Sequence, residues 1–122
     1  MKIPATVLCR LDEIADPGGK GFVFGEAEKR EEIFVLRRGD QIYGYVNRCP
    51  HAFVPLDWSS DQFLDTSKTM IMCAMHGALF AIEDGRSLAG PTRGRGLTPI
   101  SVRLEMDEIG AYRVVWDKTT QF

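Results

Sequence analysis

Two short segments hold the residues with the greatest capacity for chemistry: Cys49-Pro50-His51 and Cys73-Ala74-Met75-His76. The chain has 122 residues and 2 histidines, and each histidine stands within three residues of a cysteine. Thiolate sulfur and imidazole nitrogen are the ligands that zinc, copper and iron–sulfur centres prefer. A Cys-x-His or Cys-x-x-His loop offers two donors whose separation is limited by the short chain between them. Two such loops offer four, the number that a tetrahedral zinc or a two-iron cluster requires. Structural zinc sites group like with like, as Cys-x-x-Cys with His-x-x-x-His. Here each loop is mixed. That suits a centre with two ends, one taking a sulfur from each loop and the other a nitrogen from each, and a [2Fe–2S] rhomb has two such ends. The alternative is a zinc-binding module in which the same four ligands hold structure.

The elements that must position these loops read as strands. Residues 4–10 and 21–24 are expected to be extended. The insert LDEIADPGGKG between them allows a helical turn before Pro17-Gly18-Gly19 breaks it. EEIFVLRR, Gly39-Asp40 and QIYGYVN form the pattern of a hairpin across a tight turn. TMIM is a short strand leading into Cys73, and ALFAI, EDGR and SLAG read as a second hairpin. PISVRLEM and AYRVVWD are expected to pair across DEIG, where Gly110 suits a turn. Many strands, short turns and little helix predict an all-β domain of antiparallel sheets, a sandwich or partly open barrel. The two Cys-His segments then sit in loops at strand ends.

Composition narrows the classes. At 44% hydrophobic and 26% charged, the chain lies in the range of an ordinary globular protein, and its length predicts one domain spanning 1–122. A net charge of -2 shows no basic excess, so no nucleic-acid partner is expected. No apolar run approaches the roughly 20 residues needed to cross a bilayer, so no membrane partner is expected. The opening MKIPATVLCRLDEIAD meets Arg10, Asp12 and Glu13 before any long apolar stretch and does not resemble a signal peptide. A cytoplasmic location is expected. With three cysteines a disulfide framework is disfavoured, and Cys9, in ATVLCRL, reads as a small buried thiol.

On these residues the chain resembles the Rieske iron–sulfur proteins, and most of all the small soluble Rieske-type ferredoxins. The resemblance rests on Cys49-Pro50-His51 and Cys73-Ala74-Met75-His76-Gly77, with support from Phe80, Asp84-Gly85-Arg86 and Ala89-Gly90-Pro91. NRCPH, Pro55-Leu56 and the terminal strands add weaker similarity. The resemblance implies a Rieske-like fold with one [2Fe–2S] cluster per chain and a cluster-binding portion at about 47–93. Cys49 and Cys73 would bind the inner iron, His51 and His76 the outer iron, and the Pro91 segment would cover the cluster. Phe53, Val54, Pro55 and Pro91 are candidates for an apolar collar. One departure is the 21 residues between His51 and Cys73, more than is usual in the ferredoxin members. The excess falls in SSDQFLDTSK, within a lengthened loop at 57–68. That loop is read as polar and able to reshape a docking surface, with Asp57, Asp61 and Asp65 as solubilising charges.

The resemblance also implies a function: one-electron transfer, as a ferredoxin component between a flavin-containing reductase and a terminal oxygenase or similar acceptor. Two histidine ligands leave the oxidised core formally uncharged, which lifts the potential from about -400 mV to between roughly -150 and +300 mV. Even the low end is about four decades of a one-electron equilibrium, at about 59 mV each. High-potential relatives carry a serine and a tyrosine hydroxyl where this chain has Ala78 and Phe80, and a disulfide where it has Val54 and Met75. Those absences place the expectation in the low-potential class. Arg93 and Arg95 read as solvated loop charges, and Met70, Met72 and Met75 as apolar filling. Both histidines are already assigned, so no mononuclear iron site or hydrolytic triad can be built, and a carrier rather than an enzyme is expected. The remaining alternative is a Rieske-like subunit or sensor fixed in a larger enzyme.

Overall fold

Ile33-Phe34-Val35-Leu36 is an unbroken apolar run inside EEIFVLRR, and a strand buries such a run only when both of its faces are covered. A computed structural model describes residues 5–25, 31–50, 56, 61–73, 77–90 and 94–117. Its strands are β1 (Ala5–Arg10), β2 (Gly18–Phe24), β3 (Glu31–Arg38), β4 (Gln41–Val46), β5 (Met70–Met72), β6 (Leu79–Ala81), β7 (Ser87–Ala89), β8 (Pro99–Ile100), β9 (Val102–Met106) and β10 (Tyr112–Asp117). They form three antiparallel sheets ordered β1-β10-β9, β2-β3-β4-β8 and β5-β6-β7. The only helical segment among the described residues is a 3-10 turn at Leu11–Glu13, the helical turn expected in the insert. The all-β, antiparallel expectation holds.

All four residues of the apolar run in β3 are buried. Phe34 and Leu36 point into a core that contains Cys49, Cys73, Leu56, Ile71, Ala78 and Phe80. Val35 points the other way, into a second core with Cys9, Leu11, Ile14 and Val114. The strand is thus a wall shared by two cores, and a wall of that kind leaves no solvent face on which polar residues could alternate.

Three sequence expectations need adjustment. β2 begins at Gly18, earlier than expected, because Gly18 and Gly19 serve close packing and not a chain break. A methyl at Gly18 would lie 2.8 Å from Ala15, and one at Gly19 would lie 2.9 Å from Leu36. PISVRLEM is two strands: β8 pairs with β4 and β9 with β10, with the break at Ser101. The break lets one segment serve two sheets, and Gly44 makes room for Ile100 and Val102 where they cross β4.

The third adjustment concerns the lengthened loop. Phe63 is 1% exposed, with its ring stacked on Phe34 at 4.3 Å between centroids and 8° between planes. Leu64 bridges to Ile71, the Asp65 N–H donates to the Met70 carbonyl at 3.0 Å, and the Met72 N–H donates to the Phe63 carbonyl at 2.9 Å. Residues 63–65 therefore run beside β5 as an added edge. Asp61 accepts the Gly21 N–H on β2 at 2.7 Å, and Asp65 accepts from the Ser67 hydroxyl and from the Thr69 and Met70 N–H groups. These two carboxylates have structural partners and are not merely solubilising; Asp57 lies outside the described residues. The one aromatic residue in a polar tract fastens β5 to the β2-β3-β4 sheet. Phe63→Ala is expected to cost about 3–5 kcal/mol of unfolding free energy, the usual penalty for emptying a phenylalanine site, measured by urea denaturation.

Candidate metal centre

The first loop leaves β4 under firm control. The Val46 N–H donates to the Thr98 carbonyl at 2.8 Å, and the Asn47 N–H donates to the Glu32 carbonyl at 2.8 Å. Two residues later Cys49 is fully buried. The far end of the loop is tied to its start, because the Leu56 N–H donates to Asn47 Oδ1 at 2.8 Å and both residues are buried. Asn47 is the one buried residue of the polar or charged types among the described residues, and sequence reasoning did not single it out. Its position just before the CPH motif was visible; its burial and its partner were not.

The second loop is shorter. β5 delivers Cys73, 1% exposed, directly from Met72. The Cys73 N–H donates to the Ala78 carbonyl at 2.9 Å, and the Gly77 N–H donates to the Cys73 carbonyl at 3.0 Å. These bonds close the loop on itself. Gly77 sits at φ +67°, a left-handed conformation that glycine adopts without steric cost.

Behind the loops, the Asp84-Gly85-Arg86 signature has a packing role. Asp84 accepts the Arg86 N–H at 3.1 Å and pairs with its guanidinium at 3.0 Å, making the β6–β7 turn. Gly85, at φ +74°, lets the Tyr45 ring approach: a methyl there would lie 2.8 Å from that ring. The Tyr45 hydroxyl donates to the Ile82 carbonyl, which anchors the hairpin to β4. Burial pushes the Tyr45 phenol well above its ordinary pKa, so it remains a neutral donor. Past β7, Gly90 at φ +99° rests on Ala78, and a methyl on it would lie 2.7 Å from the Ala78 Cα. The third loop thus begins seated on the second.

Of the four expected ligands, the structure brings Cys49 and Cys73 into one buried core. His51 and His76 lie outside the described residues, as do Phe53, Val54, Pro55, Met75, Pro91 and Arg93. Met70 and Met72 are half-buried on β5, in keeping with apolar filling, and Arg95 is exposed. Cys49 and Cys73 are not joined in a disulfide. As thiolates in an apolar core they would be costly unless a cation balanced them, so this donor pair fits a metal centre. Cys9 contrasts with them: it lies in the other core, where burial first, and then Glu13, pushes its thiol up to about 11. Cys9 is a packing residue, as expected.

Two cysteine loops held at strand ends by a three-sheet β scaffold define a small metal-centre protein. A family model described as "Rieske [2Fe-2S] domain" matches residues 5–111, and the chain belongs to that family. Its cofactor is accordingly a [2Fe–2S] cluster, and the zinc alternative is set aside. Similar solved structures share the fold. The ferredoxin of carbazole 1,9a-dioxygenase from Nocardioides aromaticivorans IC177 is 22% identical with a TM-score of 0.64, covering 90% of this chain and 95% of that one. A chain from the complex of reduced oxygenase and oxidized ferredoxin in carbazole 1,9a-dioxygenase is 19% identical with a TM-score of 0.62, covering 93% and 94%. The terminal oxygenase of carbazole 1,9a-dioxygenase from Novosphingobium sp. KA1 is 24% identical with a TM-score of 0.69, covering 94% of this chain and 30% of that one. Comparison with curated proteins gives no match.

The seat of the third loop can be tested by contrast. Gly90→Ala adds a collision with Ala78 to the strain of positive φ, whereas Gly94→Ala, at φ +78° with nothing within 4 Å, adds strain alone. Gly90→Ala is expected to lose about 1–3 kcal/mol beyond the Gly94→Ala loss, measured by urea unfolding of the cluster-loaded protein.

Proposed function

We propose that this chain is a one-electron carrier, the ferredoxin component between a flavin-containing reductase and a terminal oxygenase or similar acceptor. The observation that carries the reading is the burial of two cysteines, Cys49 and Cys73, in one core of a Rieske-family chain. When bound, the cluster supplies a centre that takes up and returns a single electron. In this reading Cys49 and Cys73 hold one iron, His51 and His76 hold the other, and the domain spans 1–122 with its cluster-binding portion at about 47–93.

The chain's own residues keep that centre dry and still. Leu56, Ala78 and Leu97 are buried beside the cysteines, which limits the access of water and small molecules. The β5 strand and the Asn47 tie fix where the two loops start, so a change of one charge is met by a scaffold with little freedom to rearrange. No helix among the described residues is long and apolar enough to cross a membrane. None of the three cysteines is in a disulfide, which suits a reducing compartment and favours the cytoplasm.

A second reading, a Rieske-like subunit or sensor fixed in a larger enzyme, is favoured by the fold match to part of a longer terminal oxygenase chain. The match to nearly the full length of ferredoxin chains favours the free carrier. The carrier itself catalyses no reaction on a substrate; its partner does.

Reductive titration of the purified protein tests the reading. One electron per chain is expected, with a reddish-brown oxidised form and an EPR signal only after reduction; colourless protein without acid-labile sulfide would refute it. The midpoint is expected in the lower part of the range of roughly -150 to +300 mV for Rieske centres. Hydrogen bonds to cluster sulfur stabilise the reduced state, and neither Ala78 nor Phe80 carries a side-chain donor. Ala78→Ser is therefore expected to raise the midpoint, read by spectroelectrochemistry.

A further inference from the structure

Asn47 is the natural place to look for a group that controls the first loop. It is 8% exposed, and among the described residues it is the one buried residue of the polar or charged types. Its backbone N–H is spent on the Glu32 carbonyl, which continues the β3–β4 ladder for one further step. Its carboxamide oxygen then accepts the Leu56 N–H at 2.8 Å. Leu56 is fully exposed to no solvent, at 0%, so its amide has no water to turn to. A buried amide left without a partner is strongly disfavoured, and the side chain of Asn47 is what prevents it.

The consequence is geometric. Asn47 and Leu56 enclose the segment that holds Cys49 and His51, and the side chain closes it as a backbone bond would close a turn. Asn47 sits one residue beyond the end of β4, so the closure is referred to the rigid sheet. Leu56 packs in the same core as Cys49 and Cys73. We infer that Asn47 is a positioning residue for the cluster: its carboxamide holds the first ligand loop closed by accepting the Leu56 amide. This rests on the Rieske reading for what the loop holds, and on the geometry alone for how it is held.

The inference is tested on cluster-loaded protein by two measurements, hydrogen exchange of the peptide containing Leu56 and cluster loss to an iron chelator, followed by visible absorbance. Asn47→Ala removes the acceptor. It is expected to speed both processes at least about tenfold, the factor equivalent to about 1.4 kcal/mol. Asn47→Asp keeps an oxygen at the same position and is expected to restore slow exchange and slow loss. If Asn47→Ala does not accumulate, Asn47→Ser gives the same contrast, because its hydroxyl is too short to reach the Leu56 amide. Unchanged rates would overturn the inference. So would uniform acceleration across all peptides with no rescue by Asn47→Asp, which is the mark of a merely structural residue. Failure of the Rieske reading looks different: wild-type protein without iron–sulfur absorbance, while the Leu56 exchange contrast persists.

Discussion

The structure depends on burying β3 on both faces. Phe34 and Leu36 face the core that holds the two cysteines, and Val35 faces the core that holds Cys9. Every element that positions the candidate centre is referred to this strand or to its partner β4. Phe63 stacks on Phe34, Tyr45 on β4 anchors the β6–β7 hairpin, and Asn47 donates to Glu32 on β3. A doubly covered strand cannot shift register without carrying apolar side chains to the wrong core. The loops therefore inherit a fixed origin.

That constraint matters because a loop takes its position from its two ends. A ligand loop held only at one end would sample many arrangements, and each loss of freedom on cofactor binding would weaken the assembly. Here the cost is met during folding. The first loop is closed by Asn47 and Leu56, the second by the bonds between Cys73, Gly77 and Ala78, and the start of the third lies against the second through Gly90. In a carrier, a centre that changes charge inside a scaffold that moves little exchanges its electron with little reorganisation. For the proposed carrier, the fold would thus link a packing constraint to electron transfer.

Much of this was legible beforehand, and the exceptions share a cause. Strand identities followed from apolar runs between glycine and proline signals, and the Gly39-Asp40 hairpin formed as read, with Gly39 at φ +67°. SSDQFLDTSK reads as a polar loop because Phe63 is a lone aromatic among polar neighbours. Its partner, Phe34, belongs to a different sheet. Gly18 meets Ala15 within the local turn, but Gly19 looked like a breaker because its packing partners, Leu36 and Phe63, become neighbours only on folding. Ser101 gave no sign that one apolar segment would serve two sheets. In the DGR signature, Asp84 and Arg86 make the turn locally, but Gly85 is required by Tyr45, which sits far away in the chain.

The amino-acid sequence alone determined which candidate donors lie close together. Two thiols and two imidazoles, each pair within three residues, are bound by the reach of a few covalent bonds, and no later folding event can separate them widely. Tertiary structure decided which of the remaining side chains would hold those loops. Asn47 became an internal tie, Phe63 a fastening and Gly90 a seat only because distant segments were brought together. Such contacts arise from the summed burial of both cores, and that sum is a property of the whole chain and of no local stretch within it.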